Sequence, residues 1–230
     1  MALAKPLLER AKQEKWAIGA FNACNLETLK AIVSAAVKLR SPIIIEASDG
    51  EVNFIGKTEL FYLIRVYEHE TGVPIILNLD HAHTKESVLE AINIGFDYVH
   101  FDGSKLPPAE NIQITKEIVA AAHAKNILVE AEFNSITGSS ADHRSENIST
   151  YQNKALYTDP AAAQKFIAAT GADTLASFIG NAHGLYQNQK LIDIPRLEEI
   201  AKTLPNTFLS LHGGSGIPAP DIKQAIQNGI

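Results

Sequence analysis

Short apolar and β-branched runs alternate with longer amphipathic stretches from one end of the chain to the other. That alternation predicts repeated βαβ units around a parallel sheet. The predicted strands cover residues 16–21, 43–47, 74–79, 98–101, 127–133, 174–178 and 207–211. The predicted helices cover 26–39, 57–70, 85–94, 107–124, 160–169, 195–203 and 218–227. An amphipathic helix precedes the first strand, because apolar residues there alternate with Lys5, Glu9, Arg10, Lys12, Glu14 and Lys15. Pro107, Pro160, Pro195 and Pro218 stand where helix N-termini tolerate proline, and Gly72, Gly95 and Gly171 stand where C-terminal caps belong.

Seven βα units without an intervening linker predict an α/β fold of the TIM (β/α)8-barrel type, in one domain over residues 1–230. The seventh helical pattern runs to the last residues, so an eighth strand and helix are expected to be lacking. A doubly wound open sheet is the alternative, but the first βα turn lacks the G-x-G-x-x-G that a dinucleotide favours. Residues 134–158 are polar, rich in Ser and Thr, and too long for an idle connection. Long loops of this kind are commonly lids, and we read this one as a mobile active-site loop.

Composition narrows the function classes. With 46% hydrophobic and 20% charged residues the chain has the mix of an ordinary globular protein. No apolar stretch approaches the roughly 20 residues of a membrane-spanning helix, and the charged first segment offers no signal-peptide core. A net charge of −6 without a basic stripe argues against nucleic acid as a partner. The single cysteine, Cys24, allows no intrachain disulfide and is read as structural. We therefore expect a soluble, cytoplasmic protein with no membrane partner.

Three histidines end apolar runs: His81 in Leu79-Asp80-His81, His183 in Gly180-Asn181-Ala182-His183-Gly184, and His212 before Gly213-Gly214-Ser215-Gly216. In a parallel barrel the C-terminal ends of the strands form the catalytic rim, so all three imidazoles would converge there. Three neutral nitrogen ligands with an open fourth position make a catalytic zinc site. Any one of them alone is more simply a hydrogen-bonded structural residue; the three together favour a metal. Asp80 and His81 are adjacent, and the turn at the end of the strand is what lets both face one pocket. The glycines after His212, followed by Pro218 at the next helix start, aim backbone N–H groups and a helix N-terminus at one point, which suits a phosphate.

Other strand-end polar residues are Asn22, Ser48, Asp102, Glu130 and Glu132. Glu130 and Glu132, two apart, share one face, the barrel interior or its rim. Asp102 has a turn role in Asp102-Gly103 or a functional one. His83 is read as lying behind a ligand or at the surface, His69 and His123 as polar tips near helix ends, His100 as a satisfied core residue, and His143 as a solvated loop side chain.

At this point the motifs resemble a known family. Gly19-Ala20-Phe21-Asn22-Ala23-Cys24-Asn25-Leu26-Glu27, Leu79-Asp80-His81, Val129-Glu130-Ala131-Glu132, Ala155-Leu156-Tyr157-Thr158-Asp159-Pro160, Gly180-Asn181-Ala182-His183-Gly184 and Leu211-His212-Gly213-Gly214-Ser215-Gly216 are similar to the class II, zinc-dependent ketose-bisphosphate aldolases. That family acts on fructose 1,6-bisphosphate and tagatose 1,6-bisphosphate. The resemblance implies that His81, His183 and His212 hold Zn2+ and that Asp80 is the general acid/base. It implies Asp102 and Glu132 as a second or alternate metal position. It also implies substrate contacts from Asn22 and Ser48, and a phosphate cradle at Gly184, Gly213 and Ser215 where a monovalent cation, Na+ or K+, often binds.

The implied reaction is reversible cleavage of a ketose 1,6-bisphosphate to dihydroxyacetone phosphate and glyceraldehyde 3-phosphate, with zinc stabilising the enediolate. The implied partners are a small phosphosugar and further copies of the chain, in a dimer or tetramer. Relatives carry a glutamate in the mobile loop; here the loop reads Thr137-Gly138-Ser139-Ser140-Ala141-Asp142-His143, leaving Asp142, His143 and Glu146 as its proton carriers. The competing readings are a truncated barrel that binds metal or phosphosugar without turnover, and a metal-dependent hydrolase suggested by His81-Ala82-His83.

Overall fold

The computed structural model describes residues 4–188 and 190–230. Its main sheet is parallel throughout and has seven strands: β1 (Gly19–Asn22), β2 (Ile43–Ser48), β3 (Ile75–Ala82), β4 (Tyr98–Asp102), β5 (Leu128–Glu132), β7 (Thr174–Ala176) and β9 (Phe208–Ser210). They lie in that order, each beside the next. Two further strands, β6 (Gly138–His143) and β8 (His183–Tyr186), pair with each other in a second sheet. Helices alternate with the strands: α1 (Ala4–Glu14), α2 (Leu26–Leu39), α3 (Asp49–Ile55), α4 (Lys57–Thr71), α5 (Lys85–Ile94), α6 (Pro108–His123), α7 (Pro160–Thr170), α8 (Ile194–Thr203) and α9 (Ala219–Gln227).

This is the barrel-type arrangement the alternation predicts, with the sheet curled and β1 and β9 as its two edges. The caps act as expected: Asn25 accepts from the Thr28 N–H, Asp159 from Ala162 with Pro160 in the first turn of its helix, and Gly72, Gly95 and Gly171 end α4, α5 and α7. The predicted strand at 174–178 stops early because Phe178 leaves the ladder and exchanges two hydrogen bonds with Thr158, at 2.8 Å each. No helix among the described residues is long and apolar enough to cross a membrane.

Side chains on the strands sort by their alternation. Outward residues such as Ile43, Ile45, Leu77, Leu79, Val99, Phe101, Val129 and Leu175 pack against the helices in the main core. Inward residues at the start of the strands, Ile44, Ile76, Tyr98 and Leu128, form a second apolar layer that Ala4, Leu7 and Leu8 of α1 cover. Burying each large aliphatic there contributes roughly 2 kcal/mol. Further along, the inward positions become polar: Glu46, Asn78, His100 and Glu130, then Ser48, Asp80, Asp102 and Glu132. The apolar layer thus shuts one end of the barrel and leaves the chemistry at the other.

Candidate active site

The turn needed at the end of β3 is a bulge. Pairing with β4 shifts register between Leu79 and Ala82, and His81 adopts a left-handed backbone, φ 46°. A non-glycine residue there is uncommon and costs energy, so the surroundings must hold it. The result is that Asp80 and His81, neighbours in sequence, meet at the same rim, with Asp80 Oδ1 3.9 Å from His81 Nε2.

Around His81 the other rings gather. Ring centroids lie 4.5 Å away for His212, 4.9 Å for His183 and 4.4 Å for His100. His81 Nε2 and His212 Nδ1 are 3.1 Å apart, close to the roughly 3.3 Å between two nitrogens on one tetrahedral zinc. His212 uses its other nitrogen, Nε2, on Glu130 Oε1 at 2.7 Å, the carboxylate–imidazole pairing that orients metal ligands. Two donor sets have all their ligand atoms within 4.8 Å of one another: Asp80, His81, His100 and His212, and His81, Asp102 and Glu132. His183 belongs to neither set, although its ring lies edge-on to His81.

His100 is not the satisfied core residue the sequence suggests. It is fully buried, and among the described residues its Nε2 has no hydrogen-bond partner, nor have the buried Asp80 Oδ1 and Glu132 Oε2. An inward strand position at mid-barrel height looks like core in sequence but faces a polar layer. Unpaired buried carboxylate oxygens beside several imidazole nitrogens are costly unless a cation completes them, so this donor set fits a divalent metal. His81, His183 and His212 line a cavity of about 1250 Å³ that extends from the rim past β1 and β9 to α1, whereas the buried His100 does not line it.

The electrostatics follow from the same crowding. Burial would raise Asp80, but the imidazoles of His100, His81 and His212 hold it well below the usual carboxylate range. Burial also works against Glu130, and His100 and His212 bring it down to about 2. Glu132 is pushed up to about 7 by burial and the neighbouring charge of Asp102, and Glu46 to about 8 by burial and Asp80. Burial and the other two imidazoles push His183 down to about 3, which keeps it neutral.

The remaining predicted residues divide by what they touch. Asn22 donates to Asp80 Oδ2 and to Glu51 Oε2, both at 3.1 Å. Ser48 gives both its N–H and its hydroxyl to Glu51 Oε2, at 2.7 and 2.9 Å. Glu51, which the capping-box spacing Ser48-Asp49-Gly50-Glu51 marks in the sequence, is therefore the hub of that corner. Asp102 serves both readings: Oδ1 accepts from the Ser104 N–H in a turn, and Oδ2 lies 3.6 Å from His81 Nδ1. His83 is half-exposed, 3.5 Å from Asp102.

Gly184 is required by the second sheet, since a Cβ there would lie 2.5 Å from Ser139 O and 2.7 Å from Ala141 O. Gly213 meets the neighbouring loop, with φ 63° and Ala182 O 2.3 Å from the position a Cβ would take. Ser215 is exposed on the same turn.

Residues 134–158 carry more structure than their polarity suggests. Besides β6 they contain two short turns of 3-10 helix and the buried side chains Ile136, Ile148 and Tyr157. His143 is not a solvated side chain. It stacks on Tyr186 at 5.1 Å and bonds Glu146 at 2.8 Å and Ser139 Oγ at 3.0 Å. Glu146 also accepts from the Tyr151 hydroxyl. Of the loop's candidate proton carriers only Asp142 lines the cavity, and it is paired with Arg144.

A curled parallel β/α sheet with imidazoles and carboxylates converging at its C-terminal rim is a barrel-type α/β fold that carries a candidate metal centre. Residues 3–230 match the family model "Fructose-bisphosphate aldolase class-II", and the chain belongs to that family of lyases. It is similar in structure to the YdjI aldolase from Escherichia coli K12, with 31% identity and a TM-score of 0.85 over 100% of this chain and 79% of that one. It is also similar to the fructose-bisphosphate aldolase of Campylobacter jejuni, with 25% identity and a TM-score of 0.81 over 98% of this chain and 73% of that one.

Proposed function

We propose that the chain cleaves and forms, reversibly, the C3–C4 bond of a ketose 1,6-bisphosphate, releasing dihydroxyacetone phosphate and glyceraldehyde 3-phosphate. The observation that carries this reading is the set of three imidazoles facing one cavity beside the unpartnered Asp80 Oδ1. His81, His183 and His212 would hold Zn2+, with Asp102 and Glu132 as an alternate position. A bound zinc supplies Lewis acidity toward the oxygens next to the carbon that carries negative charge after cleavage.

The chain's own residues do the rest. Asp80, held ionised by its imidazole neighbours, accepts the proton of the hydroxyl that becomes the aldehyde and returns it in the reverse direction. Asn22 fixes Asp80 from the other side. The turn at Gly213 and Ser215, with Gly184 beside it, receives a phosphate and turns its binding energy into orientation. Residues 134–158 close over the substrate and exclude water, and one of their candidate carriers, Asp142, His143 or Glu146, gives C3 the proton it takes up as the enediolate becomes dihydroxyacetone phosphate, Asp142 being the one that lines the cavity.

A coupled assay with fructose and tagatose 1,6-bisphosphates, with metal analysis on the same preparation, tests the reading. We expect about one zinc per chain, activity lost to chelator, and no inactivation by borohydride in the presence of substrate. Asp80→Ala should lower turnover at least 100-fold, in the range of a lost general acid/base, with zinc retained. Full activity in zinc-free protein overturns the proposal. Self-association as a dimer or tetramer belongs to the same reading, supported by the exposed Phe54, Tyr62 and Val66 of α3 and α4, and sedimentation measures it.

A further inference from the structure

Lys190 is one of the largest fully buried side chains, 1% exposed, and the reaction above does not use it. A buried ammonium is ordinarily paired with a carboxylate. This one has no such partner among the described residues. Instead Nζ donates to three backbone carbonyl oxygens: Ala182 at 2.5 Å, Gly213 at 2.9 Å and Ser215 at 2.6 Å. Those carbonyls come from two loops, the one leading into His183 and the one following His212. The loops also touch directly at Gly213 and Ala182, and Asn181 Nδ2 donates to His212 O at 3.1 Å.

A cage of backbone carbonyls around one compact cation is the coordination that monovalent ions use in proteins. An ammonium carried on a side chain satisfies the same oxygens without a free ion. With their carbonyls turned inward onto Nζ, the residues at 213–215 are fixed in one backbone arrangement beside the cavity that Gly213, Gly214 and Ser215 line. The positive charge also lies beneath that turn.

We propose that Lys190 is a tethered cation: a positioning residue that locks the loops of His183 and His212 together and sets the turn at 213–215 to receive a phosphate group, in place of a free Na+ or K+. This rests on the phosphosugar reading of the same turn. Removing the side chain takes the donor from three carbonyls, of which that of Ala182 is buried and those of Gly213 and Ser215 partly so, and a monovalent cation of similar size can restore them.

The test uses zinc-loaded protein and inorganic phosphate, at equal ionic strength in choline chloride, KCl or NH4Cl. Wild-type phosphate affinity and melting temperature should be the same in all three salts. Lys190→Ala should bind phosphate at least tenfold more weakly in choline chloride and recover most of the loss in KCl or NH4Cl. Lys190→Met, which fills the cage with an apolar chain, should be weak in every salt. Wild-type affinity in Lys190→Ala without added cation overturns the proposal, as does a loss that neither K+ nor ammonium restores, or a tenfold K+ requirement in the wild type.

If Lys190→Ala unfolds in choline chloride, refolding in KCl but not in choline chloride supports the cage, and refolding in neither overturns it. Wild-type protein that binds no phosphate, while the melting temperature of Lys190→Ala still depends on K+, keeps the clamp and removes the phosphosugar reading. Absent aldol cleavage with intact phosphate binding removes the proposed reaction alone.

Discussion

Single residues at the rim have distinct roles, and Glu130 shows this most directly. It is buried, holds His212 Nε2 at 2.7 Å and also accepts from the Ser210 hydroxyl, so it sets which nitrogen of His212 faces the other imidazoles. Glu130→Gln keeps the shape but loses the charge. It should weaken zinc binding about 10–100-fold, measured by competition with a chromogenic chelator; unchanged affinity would mean that the pair only packs the barrel. Gly213→Ala should weaken inorganic phosphate binding, because its Cβ would overlap Ala182 O and its φ of 63° is strained for alanine. The convergence of His81, His183 and His212 at one rim is legible because each ends an apolar run. His100 and Lys190 were not: one sits mid-strand in a pattern that resembles core, and the other follows a polar stretch with no periodicity.

At the scale of elements, sequence patterning located the seven strands of the main sheet and the helices between them because nearly all of them bury an apolar face, the exposed edge strand β1 being the exception. It missed β6 and β8, since Gly-Ser-Ser-Ala-Asp-His is nearly all exposed and carries no alternation. It missed α3, whose two turns are too short for a helical period to register. Within the β6–β8 pair His143 is raised in pKa by Glu146 and also meets Ser139, Asp142 and the Tyr186 ring. A raised folded pKa stabilises below the ordinary value near 6.5 and loses that contribution as pH rises through it. Glu146, held low by Tyr151 and His143, stabilises above about 4.5 and loses its contribution as pH falls. The segment should thus be held most firmly between about pH 4.5 and 6.5 and loosen above that window. Tryptic cleavage at the exposed Arg144, normalised to a peptide control, should accelerate from pH 6 to 8 in the wild type. In Glu146→Gln the acceleration should disappear, and a persistent one would place the switch elsewhere.

For the whole molecule, the arrangement of layers decides how metal and stability are linked. The proposed ligands come from β3, from the start of β8 and from the loop after β9, so the ion would tie together parts of the molecule far apart in sequence. At the opposite end, α1 covers Ile44, Ile76, Tyr98 and Leu128, and Lys12 donates to the carbonyls of Pro205 and Thr207 just before β9. One helix therefore bridges β2 to β5 and the segment that leads into β9. If the barrel unfolds as one unit, both ends must move the same transition. Zinc at 100-fold over its dissociation constant contributes about 2.7 kcal/mol, which for a chain of this size is about 5–10 °C in melting temperature. Ile76→Ala, in the layer remote from the rim, should cost roughly 2–5 kcal/mol while leaving zinc stoichiometry unchanged. Calorimetry with and without chelator should show one transition displaced by each change, and additively so, because the two sites share no partner. A second transition that responds to chelator alone would show instead that the rim unfolds independently of the barrel.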